Sequence, residues 1–163
     1  MSNVGTLLTL GYEKRDLAEY IRLLRDARVG VVLDVRETAW SHKPGFSKTK
    51  LAEGLAAAKI RYVHAAVAGN PKELRRQAKS HADCLTTFER HLVGNPAIEH
   101  AFDSIVSECL QREERIALLC FERHPGDCHR GILADRWATR HGASVEHLAV
   151  EGCKRLVLDL AER

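Results

Sequence analysis

The chain contains no apolar run long enough to cross a membrane. A spanning helix needs about 20 consecutive apolar residues, and no stretch of the 163 residues approaches that length. Residues 1–5 also lack the basic and apolar regions of a secretory signal. These two absences predict a cytoplasmic protein without a membrane partner.

The chain also lacks a strong charge of either sign. Its formal net charge is +3, with 25 basic and 22 acidic residues. Domains that bind nucleic acid mainly through charge are usually more basic, so this balance permits an anionic ligand without requiring nucleic acid. We find no internal repeat, low-complexity segment or linker in the sequence, and we therefore expect one domain over residues 1–163.

Five cysteines occur without a secretory signal. Because thiols stay reduced in the cytosol, this pattern argues against a disulfide framework. Cys84 and Cys109 lie in helical patterns and are expected to fill space. Cys120 and Cys128 instead belong to a dense polar segment, residues 120–130, between a predicted strand and a predicted helix.

Apolar segments typical of strands alternate with segments of helical periodicity. The predicted strands are residues 6–10, 29–35, 60–64, 115–120 and 145–148. Helices are predicted around residues 16–24, 47–58, 85–93, 98–109 and 129–140, with a last short helix at 156–160. The alternation predicts an α/β fold: a single compact three-layer domain, with a mainly parallel sheet of about five strands and helices on both faces.

The carboxyl ends of parallel strands meet at one edge of a sheet, where open α/β folds bind ligands. Asp34 and Arg36 end the second predicted strand, and Glu122 follows the fourth. We expect Asp34, Glu122 and His129 to handle protons in a crevice at this edge. The alternative for Asp34 is an ion pair with Arg36 or Arg130, and the alternative for Glu122 is a structural or solvated carboxylate.

The start of the helix after residue 128 is a candidate anion site. Unpaired N–H groups and the helix dipole attract anions there, and the Arg130 guanidinium suits phosphate or carboxylate. Basic and aromatic side chains in residues 40–50 are suited to contacts with phosphates and bases. The predicted substrate-binding or anion-binding residues are Tyr12, Arg36, Lys48, Cys128 and Arg130. The alternative is that Asp127 caps the helix and Arg130 pairs with a carboxylate.

The two thiols of the polar segment allow other chemistry. Near a helix start, Cys128 is placed for a lowered thiol pKa. A phosphatase-type loop beginning at Cys120 needs arginine at position 126, which is glycine. Cys120, His124, Cys128 and His129 are suitable zinc ligands by type. Their C-x3-H-x3-C-H spacing fits no common structural zinc site, and adjacent Cys and His need a local bend. We predict no cofactor and keep zinc as the alternative.

Several motifs in this order resemble the domain of unknown function 488 family. They include Leu10-Gly11-Tyr12, Asp34-Val35-Arg36, Pro44-Gly45-Phe46, Asn70-Pro71-Lys72, Leu119-Cys120 with Glu122, Cys128-His129-Arg130, and His147-Leu148. The matches run from about residue 6 to residue 148. The resemblance implies a compact α/β domain and leaves the activity open.

The leading functional hypothesis is an enzyme that hydrolyses, or transfers a group from, a phosphate-containing substrate. That substrate would be a nucleotide or a nucleic acid held in the strand-end crevice. The alternatives are a non-catalytic nucleic-acid-binding module and a thiol-redox or metal protein that uses Cys120 and Cys128. The sequence does not determine the oligomeric state.

Overall fold

The computed structural model describes residues 5–112 and 114–150. The strands are β1 (Thr6–Gly11), β2 (Val31–Asp34), β3 (Arg61–His64), β4 (Ile116–Cys120) and β5 (Ser144–His147). The helices are α1 (Leu17–Asp26), α2 (Lys48–Ala57), α3 (Lys72–Gln77), α4 (His81–Gly94), α5 (Pro96–Gln111) and α6 (His129–His141). Short 3₁₀ turns occur at Ala66–Ala68 and Pro125–Asp127. The helix predicted at 156–160 lies outside the described residues.

The five strands form one parallel sheet in the order β3-β2-β4-β1-β5. Every residue of β2 and β4 is buried, as expected for central strands with helices on both faces. The predicted α/β class and the parallel sheet of about five strands are confirmed.

Alternate residues of β4 point into two separate cores. Ile116 and Leu118 pack in one core with apolar residues of α4, α5 and α6. Ala117 and Leu119 pack in the other with residues of α1 and α2. The sheet therefore lies between two helical layers, which confirms the predicted three-layer arrangement. Cys120 belongs to the core on the α4–α6 side.

The sheet places several polar strand ends side by side. Gly11 at the end of β1 is in register with Cys120 at the end of β4. Asp34 at the end of β2 is in register with both Leu119 and His64. This edge of the sheet is where the sequence predicts a crevice.

Helix α6 begins beside this edge. Cys128 has extended backbone (φ −134°, ψ 140°) and immediately precedes the helix, whose first residue is His129. The last residue of the helix is His141. The following Gly142 has the left-handed conformation (φ 61°), which glycine adopts at little steric cost. Within residues 5–112 and 114–150, no helix has the length and apolar character to cross a bilayer.

A histidine at the edge strand β5 should make stability depend on pH. The Nδ1 atom of His147 lies 2.7 Å from Thr9 Oγ1. Burial, and then the positive charge of Arg130, lower the pKa of His147 to about 4. Below its ordinary pKa of about 6.5 the unfolded chain takes up a proton that the folded chain excludes, so stability falls as pH falls from about 6.5 to 4.

We expect His147 to account for about 2 kcal/mol of this loss, after allowance for its partial exposure. Urea unfolding between pH 7 and pH 4 measures it as the difference between the wild type and His147→Gln. The exposed His100→Gln is the control and should follow the wild-type curve. A His147→Gln curve parallel to the wild-type curve would contradict this assignment.

Candidate functional site: a cleft at the strand ends

A cleft of about 630 Å³ opens at the carboxyl ends of β1, β2 and β4. Its lining includes four residues that follow or end these strands: Tyr12, Arg36, Cys120 and Glu122. His129 contributes from α6, and Arg75 from α3. The structure therefore brings together Tyr12, Arg36, Glu122 and His129 of the predicted site. Asp34, Lys48, Cys128 and Arg130 are not among the lining residues.

Asp34 and Arg36 form a buried ion pair. Arg36 donates through Nε to Asp34 Oδ1 (2.8 Å) and through Nη2 to Oδ2 (2.7 Å). The Tyr62 hydroxyl also donates to Oδ2 (2.6 Å), and Asp34 is fully buried. The structure thus shows the ion pair that the sequence left open as the alternative to a proton-handling role for Asp34.

Arg36 joins this ion pair to the lining of the cleft. Its Nη1 donates to the Tyr12 hydroxyl (3.1 Å) and to the Phe46 carbonyl (2.8 Å). The Tyr12 ring stacks on Phe46 at 4.4 Å between centroids. Burial opposes the charge of Arg36, but the contacts with Asp34 outweigh it and raise the pKa of Arg36. The guanidinium is therefore a permanent charge held rigidly in the lining.

Arg130 lies beneath the loop at residues 121–128. It is fully buried, and it donates through Nη1 to the carbonyl of Glu122 and through Nη2 to that of Arg123 (3.2 Å). Its Nε has no partner among the described residues. Arg130 therefore holds the backbone of this loop in place. Lys48, by contrast, is exposed at the start of α2 and lies off the cleft.

Cys120 and His129 form a close pair in the lining of the cleft. The distance from Cys120 Sγ to His129 Nδ1 is 3.6 Å. On the other side of the ring, His129 Nε2 lies 2.7 Å from the carbonyl oxygen of Val35. Because a carbonyl only accepts, Nε2 carries the hydrogen, and Nδ1 of the neutral ring is left to accept from the thiol. The edge-to-face contact with Phe88 (5.2 Å) further fixes the ring.

The pKa of His129 reflects these neighbours. Burial opposes the imidazolium, but contacts with Cys128, the Val35 carbonyl and Glu122 favour it and raise the pKa of His129 overall. For Cys128, burial is the largest effect and raises the thiol pKa well above its ordinary value. The expectation of a lowered thiol pKa at Cys128 is therefore wrong: the side chain is 1% exposed, and desolvation disfavours its thiolate.

Three side chains of this cluster are suitable metal ligands by type. The ligand atoms of Cys120, Cys128 and His129 lie within 4.8 Å of one another, and all three residues are buried. The change from extended to helical backbone at Cys128 supplies the local bend that adjacent Cys and His need. Glu122 is a candidate fourth ligand, because its Oε2 lies 3.8 Å from Cys120 Sγ. His124 instead accepts from the Gly126 N–H (3.1 Å). Zinc stays an alternative prediction.

The cleft also contains residues that the predicted site omits. Trp40 and Phe121 line it while remaining 58% and 44% exposed. Lys72 and Arg75 of α3 contribute cations, and Glu37 accepts from Arg75 Nη2 (3.4 Å). The sequence signal for α3 is the basic series after Asn70-Pro71, but only the fold shows which of these cations reach the cleft.

The fold and the cleft define an open-sheet α/β domain with a ligand-sized cavity at the carboxyl ends of its strands. The family model described as domain of unknown function DUF488 matches residues 16–137, about three quarters of the chain. The chain belongs to this family, which confirms the resemblance seen in its motifs. No curated protein and no solved structure matches it.

Proposed function

We propose that this protein is an enzyme that binds a phosphate-containing molecule with a planar ring, such as a nucleotide, in the strand-end cleft. It hydrolyses, or transfers, a group of that molecule. The observation that carries the proposal is the lining of one cleft by exposed aromatic rings, cations, a carboxylate and an imidazole together.

The aromatic part of the lining supports recognition of a ring. Trp40 and Phe121 are two of the four large apolar side chains exposed on the described surface, and both lie in the cleft. The other two, Val67 and Val93, do not line it. Exposed aromatic rings in a concave site offer stacking surfaces for a base. The cleft volume, about 630 Å³, also suits a small molecule.

The cationic part of the lining supports recognition of phosphate. Arg75 projects from α3 into the lining and is about half exposed, as is suitable for contact with a ligand. Its only acidic partner among the described residues is Glu37, at a long distance of 3.4 Å. Arg75 Nε also donates to the Asn70 carbonyl (3.1 Å), which orients the guanidinium. The long contact with Glu37 is the one that a phosphate can replace at small cost. Lys72 adds a second cation to the same lining.

The chemical part of the lining supports catalysis. Glu122 is half-buried in the cleft, and a carboxylate there can give or take a proton. His129 lies beside it and contacts the Cys120 thiol. Asp34 has no place in this proposal, because the guanidinium of Arg36 and the hydroxyl of Tyr62 occupy both of its oxygens.

Two neighbouring arginines of α3 give a matched test of the proposed binding site. Arg75 and Arg76 are both exposed, but only Arg75 lines the cleft. We expect Arg75→Ala to weaken the binding of a nucleoside monophosphate about tenfold, since it removes a charged phosphate contact. Arg76→Ala should bind like the wild type.

Isothermal titration with AMP, GMP, CMP and UMP measures these affinities. A change in tryptophan emission on titration gives an independent signal, because Trp40 lines the cleft and the other tryptophan, Trp137, is only 3% exposed. Equal losses in the two arginine variants would contradict the proposed phosphate site. Absence of binding by all four nucleotides would overturn the nucleotide proposal.

A further inference from the structure

We infer that Cys120 is a nucleophile of the cleft, with His129 as its base, and that it forms a covalent bond with an electrophilic carbon of the substrate. The identity of that substrate rests on the proposed function. The reactivity of the thiol rests on the geometry of the side chains around it.

Among the four cysteines that the structure describes, Cys120 is the one that combines access to the cleft with a base. It is the last residue of β4, it is 6% exposed, and it lines the cleft. Cys128 belongs to the same cluster but does not line the cleft. Cys84 of α4 lines the cleft, but its polar contact is the Asn70 amide (3.4 Å) and not an imidazole. A nucleophilic cysteine needs both features.

His129 has the orientation that a base requires. The Val35 carbonyl fixes the Nε2 hydrogen, so the Nδ1 lone pair faces the thiols, and Cys120 Sγ lies 3.6 Å from it. This arrangement of nucleophile, imidazole and orienting acceptor is the geometric requirement for an activated thiol. The Glu122 carboxylate close by favours the imidazolium that forms when the proton moves.

Hydrogen bonds within the loop after Cys120 favour carbon over phosphorus as the attacked atom. A thiolate that attacks phosphorus needs backbone N–H groups directed at the phosphoryl oxygens. Several N–H groups of this loop are already hydrogen-bonded inside the protein, namely those of Arg123, Gly126, Asp127 and Cys128. We therefore expect the phosphate to be bound near α3 and not to be the group that Cys120 attacks.

The proposed step is balanced without an oxidant or reductant. The thiol proton passes to His129 Nδ1, and the Cys120 sulfur forms a bond to the electrophilic carbon. The bond from that carbon to its leaving group breaks, and the leaving group takes the proton from His129. Water, or an acceptor in a group transfer, then loses a proton to His129 and attacks the same carbon. The sulfur–carbon bond breaks, and the departing thiolate takes that proton from His129, which regenerates the thiol and the neutral imidazole.

Alkylation of the full-length protein by iodoacetamide tests the nucleophile directly. Peptide mass spectrometry follows each cysteine separately, so Cys84 serves as an internal control in the same cleft. We expect Cys120 to react at least about tenfold faster than Cys84, although Cys84 is the more exposed thiol. In His129→Gln, the rate at Cys120 should fall at least about tenfold while the rate at Cys84 stays unchanged.

A reference in the unfolded state keeps the test decisive if His129→Gln does not fold. In urea every thiol is equally accessible, so the ratio of native to unfolded rates isolates the effect of the fold. This ratio should exceed one for Cys120 and lie below one for Cys128. A Cys120 rate no greater than that of Cys84 in the native wild type overturns the inference. So does stoichiometric zinc that protects Cys120 until a chelator removes it.

Two outcomes distinguish a reactive Cys120 from a nucleotide site. A fast Cys120 in a protein that binds none of the four nucleoside monophosphates would retain the nucleophile and reject the nucleotide. Nucleotide binding with an inert Cys120 would retain the binding site and reject the nucleophile. If both hold, a bound nucleotide should slow the alkylation of Cys120.

Discussion

Replacement of Asp34 by alanine is expected to lower the free energy of unfolding by about 4 kcal/mol. The substitution leaves the Arg36 guanidinium buried, charged and without the carboxylate that accepts from it at 2.7 and 2.8 Å. Arg36 is only 7% exposed, so water cannot replace the lost partner at low cost. The Tyr62 hydroxyl loses its acceptor as well. Urea unfolding followed by circular dichroism measures the loss.

The same substitution in an exposed ion pair is the control. Asp26 pairs with Arg22 at 3.7 Å, and both side chains are more than 60% exposed. Asp26→Ala should therefore cost less than about 0.5 kcal/mol. The double variant Asp34→Ala/Arg36→Met should recover part of the loss, because it removes the unpaired charge. If Asp34→Ala lowers the free energy of unfolding no more than Asp26→Ala does, the buried ion pair does not stabilise the fold.

The buried ion pair affects how the activity of Asp34 variants is interpreted. Asp34 stands at a strand end near a cleft, so a loss of activity in an Asp34 variant suggests catalysis at first sight. Loss of the ion pair would also lower activity, because Arg36 connects Asp34 to Tyr12 in the lining of the cleft. Activity lost together with folding stability would point to the ion pair. Glu122 and Cys120 variants are the sharper tests of chemistry.

The parallel sheet could be predicted because its signals are local. The continuous apolar run at residues 29–35 contains the buried strand β2, and residues 60–64 contain β3. Once strands alternate with helices, a parallel sheet and a shared carboxyl edge follow from general rules of chain connection. This rule predicts that Arg36 and Glu122 lie near one another, and both line the cleft together with Tyr12.

The directions of individual side chains could not be predicted in the same way. Arg130 belongs to a residue type that is rarely buried without a carboxylate partner, yet it turns under the loop and donates to two carbonyls. The prediction of a lowered Cys128 pKa took account of the helix start but not of desolvation. Arg75 lies in α3, which is not among the helices predicted from the sequence, so its place in the cleft depends on tertiary packing.

The position of the Glu122 backbone depends on a glycine at the end of β1. A Cβ atom added to Gly11 would lie 1.9 Å from the Glu122 carbonyl oxygen and 2.7 Å from its carbonyl carbon. The loop cannot move away freely, because Arg130 donates to that same oxygen and the backbone N–H of Glu13 donates to the Phe121 carbonyl (2.8 Å). A side chain at position 11 must therefore distort either β1 or the loop that carries Glu122.

We expect Gly11→Ala to lower the free energy of unfolding by about 3 kcal/mol, since overpacking against fixed backbone is costly. The displaced loop should also slow the alkylation of Cys120 relative to Cys84, because the strand end and the loop move together. Gly94→Ala is the matched control: an added Cβ there meets no atom within 4 Å, and alanine favours the end of α4. It should be neutral or slightly stabilising in the same urea titration. If the two alanine variants unfold at the same urea concentration, the close contact between Gly11 and Glu122 does not control the loop, and another element must hold Glu122 at the cleft.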